Sequence, residues 1–272
     1  MCGRYILIQK ASVLEKRFGV IVPDTINLVP SYNIGPGKFA PVITNDRPHE
    51  IQLFRFGMTP SWMTRPTLLI NARAEGDHNS DNNPIYNGAK GIITKPAFRK
   101  PIRSQRCLIP ADAFIEGPEK EKLNRPFVVY LRDKVRPFAF AGIWDCWRNP
   151  DTSELIYSFA IITTVANEVT QKIQHHRSPV ILHPEDEKKW LSDTLPLSEV
   201  TRLLVPYPGE LMNAYPIAPT IKNPAADDPG LIHPAGERIM TETVIRGSKE
   251  TRITGMGSNK DYGFNEQYPM GN

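Results

Sequence analysis

The sequence has few cysteines and no long apolar run, and these absences exclude several classes of protein. Three cysteines in 272 residues, widely spaced, are unsuited to a disulfide framework or a zinc site. No apolar stretch approaches the roughly 20 residues that a membrane-spanning helix requires. The first residues contain no apolar segment of the secretory-signal kind, so we expect a cytoplasmic protein that does not enter a membrane.

Motifs that bind common cofactors are also absent. The sequence contains no G-x-G-x-x-G pattern, no P-loop and no H-E-x-x-H pattern. It contains no internal repeat. We therefore predict neither a nucleotide cofactor nor a metal ion, and nothing in the sequence indicates an assembly larger than a monomer.

The composition is that of an ordinary globular protein with a small excess of positive charge. Hydrophobic residues make up 40% of the chain, enough for a sizeable core. The net charge of +4 permits nucleic-acid binding without requiring it. Residues 88–106 contain six basic side chains and no acidic one. This segment is either a solvated loop or a phosphate-binding surface, and charge alone does not decide between them.

Hydrophobic periodicity predicts a domain built mainly of strands. Alternating or β-branched segments predict strands at 4–9, 51–58, 127–132, 137–145, 155–164 and 212–217. Helical spacing predicts a helix at 11–18, capped by Ser12 and ended by Gly19, and shorter helices at 166–174, 184–192 and 197–205. Closely spaced strands argue against a doubly wound parallel sheet. We predict a single α+β domain on a mostly antiparallel, barrel-like sheet with short flanking helices.

Three segments are expected to be less regular. Residues 22–48 contain many prolines and glycines and should form turns and short strands. Residues 75–96 are polar and rich in Asn and Gly, which is typical of a long functional loop. After Pro234 large aliphatic residues become rare. We therefore expect a folded domain at 1–234 and a flexible tail at 235–272.

Cys2 is the first candidate for chemistry. Removal of Met1 would leave an α-amine and a thiol on one residue, with ordinary pKa values of roughly 8 and 8.5. With an aldehyde, such as a ring-opened abasic sugar, the amine forms a Schiff base and the thiol closes a thiazolidine ring. A cysteine at the second position is more often incidental. Here Gly3 permits close backbone approach, and Arg4 places a cation beside the nucleophile.

Three further groups contain side chains suited to the same chemistry. Asn71 can orient an amine, and Arg73 can bind a phosphate. Glu116 ends an apolar stretch, where burial would raise its pKa and suit it to proton transfer. His175, followed by Arg177, can move protons near neutral pH. Taken singly, each group also has an ordinary structural explanation, as a turn residue, a surface carboxylate or a solvated histidine.

The order of these motifs resembles that of the SRAP family (SOS response-associated peptidases, also called abasic site processing proteins). One such motif is weak evidence, whereas nine in the family's order are specific. The resemblance extends over residues 2 to about 223 and leaves out the tail. The nine motifs are Met1–Tyr5, Tyr32–Pro36, Phe56–Trp62, Asn71–Glu75, Arg106–Asp112, Phe114–Glu116, Ala141–Trp144, Thr163–Asn167 and His175–Pro179.

The resemblance implies a thiazolidine crosslink between Cys2 and an abasic site in single-stranded DNA, which would shield the lesion. By motif, Asn71 would position the Cys2 amine and Glu116 would act as acid and base. His175 would assist opening of the sugar ring and reversal of the link. The family is also proposed to remove a propeptide autocatalytically, although here only Met1 precedes the cysteine.

The resemblance also implies how DNA would be held. Base stacking on an aromatic side chain contributes ~1–3 kcal/mol per base, and Trp62 would be the stacking wedge. The basic segment 88–106 would lie on the DNA-binding face. Implied phosphate contacts are Arg4, Arg73 and Arg177. The sequence departs from the family's pattern at Phe56, Gly117 and Ser178, which lie beside the catalytic positions that the resemblance implies.

Three other functions remain open on the sequence alone. One is an N-terminal-nucleophile amidohydrolase, such as a glutaminase domain, which also begins Met-Cys-Gly. The motifs that contain Glu116 and His175 do not belong to that class, and no synthase domain follows here. A module that binds single-stranded DNA without covalent chemistry would need Cys2 only for its structure. A thiol protease would cleave peptides in the absence of DNA.

Overall fold

The computed structural model describes residues 2–132 and 136–242, with the backbone of 252–253 and 257–258. The helices are α1 Ala11–Phe18, α2 Pro101–Ser104, α3 Glu168–Lys172, α4 Pro184–Leu191 and α5 Leu197–Arg202. The strands are β1 Arg4–Leu7, β2 Ser31–Ile34, β3 Phe39–Thr44, β4 Arg47–Phe56, β5 Asn71–Arg73, β6 Arg106–Ala111, β7 Ala113–Glu116, β8 Phe127–Leu131, β9 Phe138–Arg148, β10 Leu155–Val165, β11 Arg177–Pro179, β12 Ile181–Leu182, β13 Met212–Pro216, β14 Arg252–Ile253 and β15 Gly257–Ser258.

Five strands close into a barrel. β10 pairs with β4 on one side and β9 on the other, and β4, β3, β6 and β9 complete the ring. All of these pairings are antiparallel except β4 with β10. Aromatic side chains fill the interior, where the rings of Phe56 and Phe159 stack 5.2 Å apart. The prediction of one α+β domain on a mostly antiparallel, barrel-like sheet is confirmed.

A second antiparallel sheet, in the order β13-β8-β7-β1-β2, contains the first strand of the chain. It packs on the barrel through Tyr5, whose ring lies 5.8 Å from that of Phe140. Between β6 in the barrel and β7 in this sheet lies buried Asp112, whose carboxylate accepts the Ile8 N–H at 2.8 Å and the Gln9 amide at 2.5 Å. These bonds fix the point at which the chain passes from one sheet to the other.

Most elements predicted from the sequence are present, with altered ends. Helix α1 spans the predicted residues, and Gly19 ends it with φ 66°, a left-handed conformation that glycine adopts without strain. Ser12 was predicted as its N-cap, and this is wrong, because Lys10 occupies that position and no side chain caps the helix. The irregular segment 22–48 contains all of β2 and β3.

Packing of the chain continues beyond the predicted domain boundary at Pro234. The Ala235 N–H donates to the Pro216 carbonyl at 2.8 Å, and the Ile239 N–H donates to the Ala214 carbonyl at 2.9 Å. These bonds place residues 235–239 against β13. The rest of the predicted tail, beyond residue 242, lies outside the described residues apart from the paired β14 and β15. Within the described ranges, no helix is long and apolar enough to cross a membrane.

Candidate active site

An open cleft of about 890 Å³ lies where β1 and β7 meet. These strands are antiparallel with Arg4 opposite Ile115, so the chain before Arg4 runs beside Glu116. The cleft is lined by residues from the start of the chain, from the end of β7 with the adjoining loop 117–124, and from the turn before β11. The fold therefore brings these residues together from three distant parts of the sequence.

Glu116 and His175 form a buried pair in the wall of this cleft. His175 Nε2 lies 3.3 Å from Glu116 Oε1, which also accepts the Gly117 N–H at 3.3 Å. Burial raises the pKa of Glu116 and lowers that of His175 to about 4, because desolvation disfavours the charged form of each group. Near neutral pH His175 is therefore uncharged, and Glu116 retains a proton to higher pH than an exposed glutamate does.

The second ring nitrogen of His175 is also held in place. Its Nδ1 lies 3.0 Å from the Arg177 carbonyl oxygen and 3.3 Å from the Arg177 backbone nitrogen. The ring thus faces Glu116 with one nitrogen and the backbone of β11 with the other. This fixed orientation suits a group that must accept and return a proton.

Cys2 is buried in this chain, which retains Met1, with only 1% of its surface exposed. Its Sγ lies 4.0 Å from the Arg4 carbonyl oxygen. Burial, and then the charge of Glu116, raise the pKa of the thiol above its ordinary range. The thiol is therefore protonated at neutral pH and is a weak nucleophile in this form.

Asn71 lies directly beside Cys2. Its Nδ2 donates to the Cys2 carbonyl oxygen at 3.0 Å, and β5 is positioned for this contact by its parallel pairing with β10. The other amide atom, Oδ1, is buried and has no hydrogen-bond partner among the described residues. A buried acceptor without a partner is costly, so this oxygen is available to a donor that arrives at residue 2.

The residues predicted to contact DNA differ in their exposure. Arg4 lines the cleft, although its guanidinium already donates to Asn33 Oδ1 at 2.6 Å. Trp62 projects from the loop after β4 with 61% of its surface exposed. Arg73 is half-buried and donates to Asn82 Oδ1 at 2.7 Å. Both arginines therefore have structural partners as well as an exposed portion.

Arg177 is an interior residue, with 3% of its surface exposed. Its Nη2 donates to Glu75 Oε2 at 2.7 Å and to the Thr163 carbonyl at 2.9 Å. A direct phosphate contact, which the sequence predicted, is not available to it in this conformation. Glu75 belongs to the Asn71–Glu75 motif, but the sequence alone indicates no role for it. Its contact with Arg177 joins residues 102 positions apart, which no local pattern predicts.

Arg106 is also internal, so the basic segment 88–106 does not lie wholly on a DNA-binding face. Only 1% of Arg106 is exposed. Its guanidinium donates to the Trp190 carbonyl at 2.7 Å and the Ser192 carbonyl at 2.7 Å, at the end of α4. These bonds satisfy carbonyls that have no partner within the helix. Lys95, Arg99, Lys100 and Arg103 of the same segment remain partly or fully exposed.

The structure explains why glycine occupies position 117, where the sequence departs from the family's pattern. A Cβ at this position would lie 2.0 Å from the Lys122 carbonyl oxygen and 3.0 Å from that of Arg125. Residues 117–124 line the cleft, so glycine allows this loop to fold closely against the end of β7. No side chain fits here unless the loop moves.

Gly117→Ala is therefore expected to displace the cleft loop and to lower the free energy of unfolding by about 1–3 kcal/mol. Gly19→Ala is the matched control, because Gly19 has φ 66° and open space around it. Its cost should be only the left-handed strain of about 1–2 kcal/mol, with no change at the cleft. Denaturant unfolding measures both costs, and the amide NMR signals of residues 117–124 report displacement of the loop. A Gly117→Ala variant with wild-type stability and unshifted loop signals would contradict the close packing inferred here.

The cleft wall contains titratable side chains besides Glu116 and His175. Within the described ranges, no cluster of three or more His, Cys, Asp or Glu side chains is arranged to hold a metal ion. His176 stacks on His175 with ring centroids 4.8 Å apart, and its Nδ1 lies 3.1 Å from Glu119 Oε2. The sequence did not predict this second histidine–carboxylate pair at the cleft.

Comparison with known proteins identifies similar sequences. The family model described as "SOS response associated peptidase (SRAP)" matches residues 1–224. The chain is 34% identical over 243 residues to the abasic site processing protein YoqW of Bacillus subtilis (strain 168), across 85% of this chain and 99% of that protein. It is 24% identical over 261 residues to the abasic site processing protein HMCES of Gallus gallus, across 85% and 74%.

Solved structures share the fold. A protein from Bacteroides thetaiotaomicron superposes with a TM-score of 0.72 at 31% identity, covering 86% of this chain and 100% of that one. A protein from Bordetella bronchiseptica superposes with a TM-score of 0.59 at 23% identity, covering 79% and 99%. At that identity the second likeness concerns the fold alone.

Proposed function

This chain belongs to the SRAP family, and on that premise we propose that it processes abasic sites by forming a covalent link to DNA through Cys2. Relatives that are similar over most of its length are named abasic site processing proteins. The observation that carries the proposal is the placement of two pairs: Glu116 and His175 lie in the cleft wall, and Cys2, bonded to Asn71, directly precedes Gly3 and Arg4 of the cleft lining. These residues supply a nucleophile, an amine-orienting amide and a pair for proton transfer.

The proposed chemistry begins when removal of Met1 frees the α-amine of Cys2. The amine adds to the aldehyde carbon of the ring-opened abasic sugar, and loss of water then gives a Schiff base. The thiol sulfur adds to the same carbon, and its proton passes to the nitrogen as the thiazolidine ring closes. Because burial raises the pKa of the thiol, the amine is the better first nucleophile and sulfur acts second.

Three neighbouring side chains assist these steps. Asn71 Oδ1, which has no partner in the described part of the chain, accepts a hydrogen bond from the new amine and directs its lone pair to the aldehyde. Glu116 donates a proton to the departing hydroxyl during loss of water. His175 accepts the proton of the sugar hydroxyl as the ring opens, since its lowered pKa keeps it neutral.

Single-stranded DNA is the proposed partner because the lesion must reach a recessed cleft wall. Arg4 within the cleft and Arg73 near it would contact phosphates, and exposed Trp62 would stack on a neighbouring base. Stacking on Trp62 requires an unpaired base, which a continuous duplex does not offer. The role that we propose for Arg177 is to hold His175 through its backbone carbonyl, and not to contact a phosphate.

Arg73→Ala is expected to weaken DNA binding and to reduce the slope of log affinity against log salt by about 0.7, the value for one phosphate contact on a single strand. The rate of crosslinking at saturating DNA should change little. Fluorescence anisotropy at several salt concentrations measures the slope. Arg202→Ala, at an exposed arginine of α5, is the matched control. An unchanged salt slope in Arg73→Ala would remove Arg73 from the DNA interface.

The proposed function is tested by incubating the purified protein with single-stranded DNA that contains one abasic site. Mass spectrometry first verifies that Cys2 is the N-terminal residue. A denaturing gel should then show a band that withstands heat and detergent. A tetrahydrofuran analogue, which has no aldehyde, should give no such band. Binding without a band on abasic DNA would favour a non-covalent single-stranded DNA-binding module.

A further inference from the structure

A buried ion pair lies behind the proposed proton-transfer pair. Glu75 is fully buried, and its carboxylate accepts from Arg177 Nη2 at 2.7 Å and from Thr164 Oγ1 at 2.9 Å. Burial opposes ionisation of Glu75, but Arg177 and Thr164 outweigh it and hold the pKa of this carboxyl below its ordinary value. Glu75 is therefore charged at neutral pH and anchors the Arg177 side chain inside the protein.

Arg177 holds His175 through its backbone. Its carbonyl oxygen can accept a hydrogen bond from a protonated His175 Nδ1 at 3.0 Å, and its N–H can donate one to an unprotonated Nδ1 at 3.3 Å. With Nδ1 protonated, the unprotonated Nε2 faces Glu116 Oε1 at 3.3 Å. With Nε2 protonated, its N–H faces the Glu116 carboxylate while Nδ1 accepts from the Arg177 N–H. In both neutral forms of the imidazole, Nδ1 therefore keeps a backbone partner without rotation of the ring.

We propose that Glu75 is a positioning residue, which anchors Arg177 and so keeps His175 able to face Glu116 in either tautomer. This inference rests on the proposed function, because it concerns the same proton-transfer pair. Glu75 does not touch the reacting atoms in this arrangement. It acts through the side chain of Arg177 and the backbone at the start of β11.

The local structure explains why such an anchor is needed. β11 has only three residues, and Arg177 is its first, paired with Val165 at the end of β10. The preceding turn contains Gln174 at φ 64°, a conformation that side chains rarely adopt. The end of a short strand after such a turn has few backbone bonds to fix it. The side chain of Arg177, held by Glu75 and Thr163, supplies the missing restraint.

Stability alone does not account for this pair. A buried ion pair is often no more stabilising than apolar side chains of similar volume, because desolvation of both charges offsets their attraction. A carboxylate and a guanidinium in the interior therefore have a better explanation in what they orient. The group that they orient is the Arg177 backbone, whose carbonyl oxygen and N–H contact His175 Nδ1.

Glu75→Gln is expected to slow crosslink formation roughly 10- to 100-fold, in line with the loss of a supporting contact behind a reactive group. Affinity for intact single-stranded DNA should stay within about twofold, since Glu75 is fully buried and its Oε2 lies 4.0 Å from Arg73 Nε, beyond hydrogen-bond distance. The ¹⁵N signals of the His175 ring should shift toward one tautomer. The pKa of His175 should fall further, because Arg177, which already lowers it, loses its compensating charge.

The matched control is Glu187→Gln, which breaks another buried ion pair. Glu187 accepts from Arg17 at 2.6 and 2.9 Å, and only 6% of Glu187 is exposed. If Glu75 were merely structural, both variants would lose stability and activity to a similar degree, and the His175 signals would not move. Equal crosslinking rates in the two variants, with an unchanged tautomer ratio, would overturn the inference.

A second variant covers the case in which Glu75→Gln does not fold. Thr164→Val removes one hydrogen bond to Glu75 and leaves both charges in place. It should slow crosslinking about fivefold, the effect of one hydrogen bond, and shift the His175 signals in the same direction. A wild-type rate and an unshifted signal would refute the anchor. Failure of the wild-type protein to crosslink would instead refute the proposed function, and the ring signals would still test the positioning.

Discussion

Cys2→Ala is expected to abolish the heat-stable adduct with abasic DNA, lowering its yield at least about a hundredfold. Without sulfur the Schiff base cannot close into a thiazolidine, and an open Schiff base hydrolyses when the protein is denatured. DNA affinity should change little, because the Cys2 side chain is buried. The denaturing gel used for the wild-type protein measures this loss.

The same variant separates the two nucleophiles of Cys2. The substituted chain keeps its α-amine after removal of Met1, so borohydride should reduce the Schiff base to a stable amine and restore a band. Cys146→Ala, which removes a half-buried thiol elsewhere, should crosslink as the wild-type does. A heat-stable band from Cys2→Ala without borohydride would show that sulfur forms no part of the link. No band even with borohydride would show that the amine is not the first nucleophile.

Glu116→Gln is expected to slow crosslinking by about 10²- to 10⁴-fold, the usual range for loss of a general acid. Glutamine keeps the shape and a polar group facing His175 Nε2 but cannot transfer a proton. Burial raises the pKa of Glu116, so its acid form persists to higher pH than that of a free glutamate. The wild-type rate should fall as pH rises through this raised pKa, and the variant should lack that fall.

The rates come from single-turnover reactions with saturating abasic DNA over a range of pH. Other titratable groups near the pair are His176, Glu119 and the Cys2 thiol. Glu119→Gln is the matched control, because this exposed carboxylate lines the same cleft without contacting His175 Nε2. It should keep both the rate and the alkaline fall. A Glu116→Gln variant that reacts at the wild-type rate would remove Glu116 from the chemistry.

The alternative functions are distinguished by the same experiments. A non-covalent DNA-binding module would keep its affinity in Cys2→Ala and would give no adduct in the wild-type protein. A thiol protease would cleave peptides in the absence of DNA, and we expect no such cleavage. The buried thiol has a raised pKa, which is the opposite of the lowered pKa that an active-site thiolate requires.

The sequence by itself determined the features that depend on neighbouring residues. Helix α1 and its glycine end follow from helical spacing and from the freedom of glycine at positive φ. Strands such as β9 and β10 follow from continuous apolar and β-branched residues, and their close spacing indicated a barrel-like sheet. The ordered motifs were sufficient to indicate the family, because each motif is a short local pattern.

Only the tertiary structure decided which charged side chains are exposed. The sequence does not distinguish the three arginines Arg73, Arg106 and Arg177. In the structure, Arg106 binds carbonyls at the end of α4, and Arg177 binds Glu75. Burial of an arginine depends on whether acceptors from distant segments meet it, which local periodicity does not encode. The sequence therefore predicted a phosphate contact for Arg177, whereas in the described structure its guanidinium is buried against Glu75.

The geometry of the candidate site was likewise decided by long-range pairing. Asn71 reaches Cys2 because β5 pairs with β10, and Glu116 lies beside the start of the chain because β7 pairs with β1. The register of such strands is fixed by packing of the whole core, since a shift of one residue would turn every side chain to the opposite face. The sequence determined which chemical groups are present, and the packing of two sheets decided that they meet.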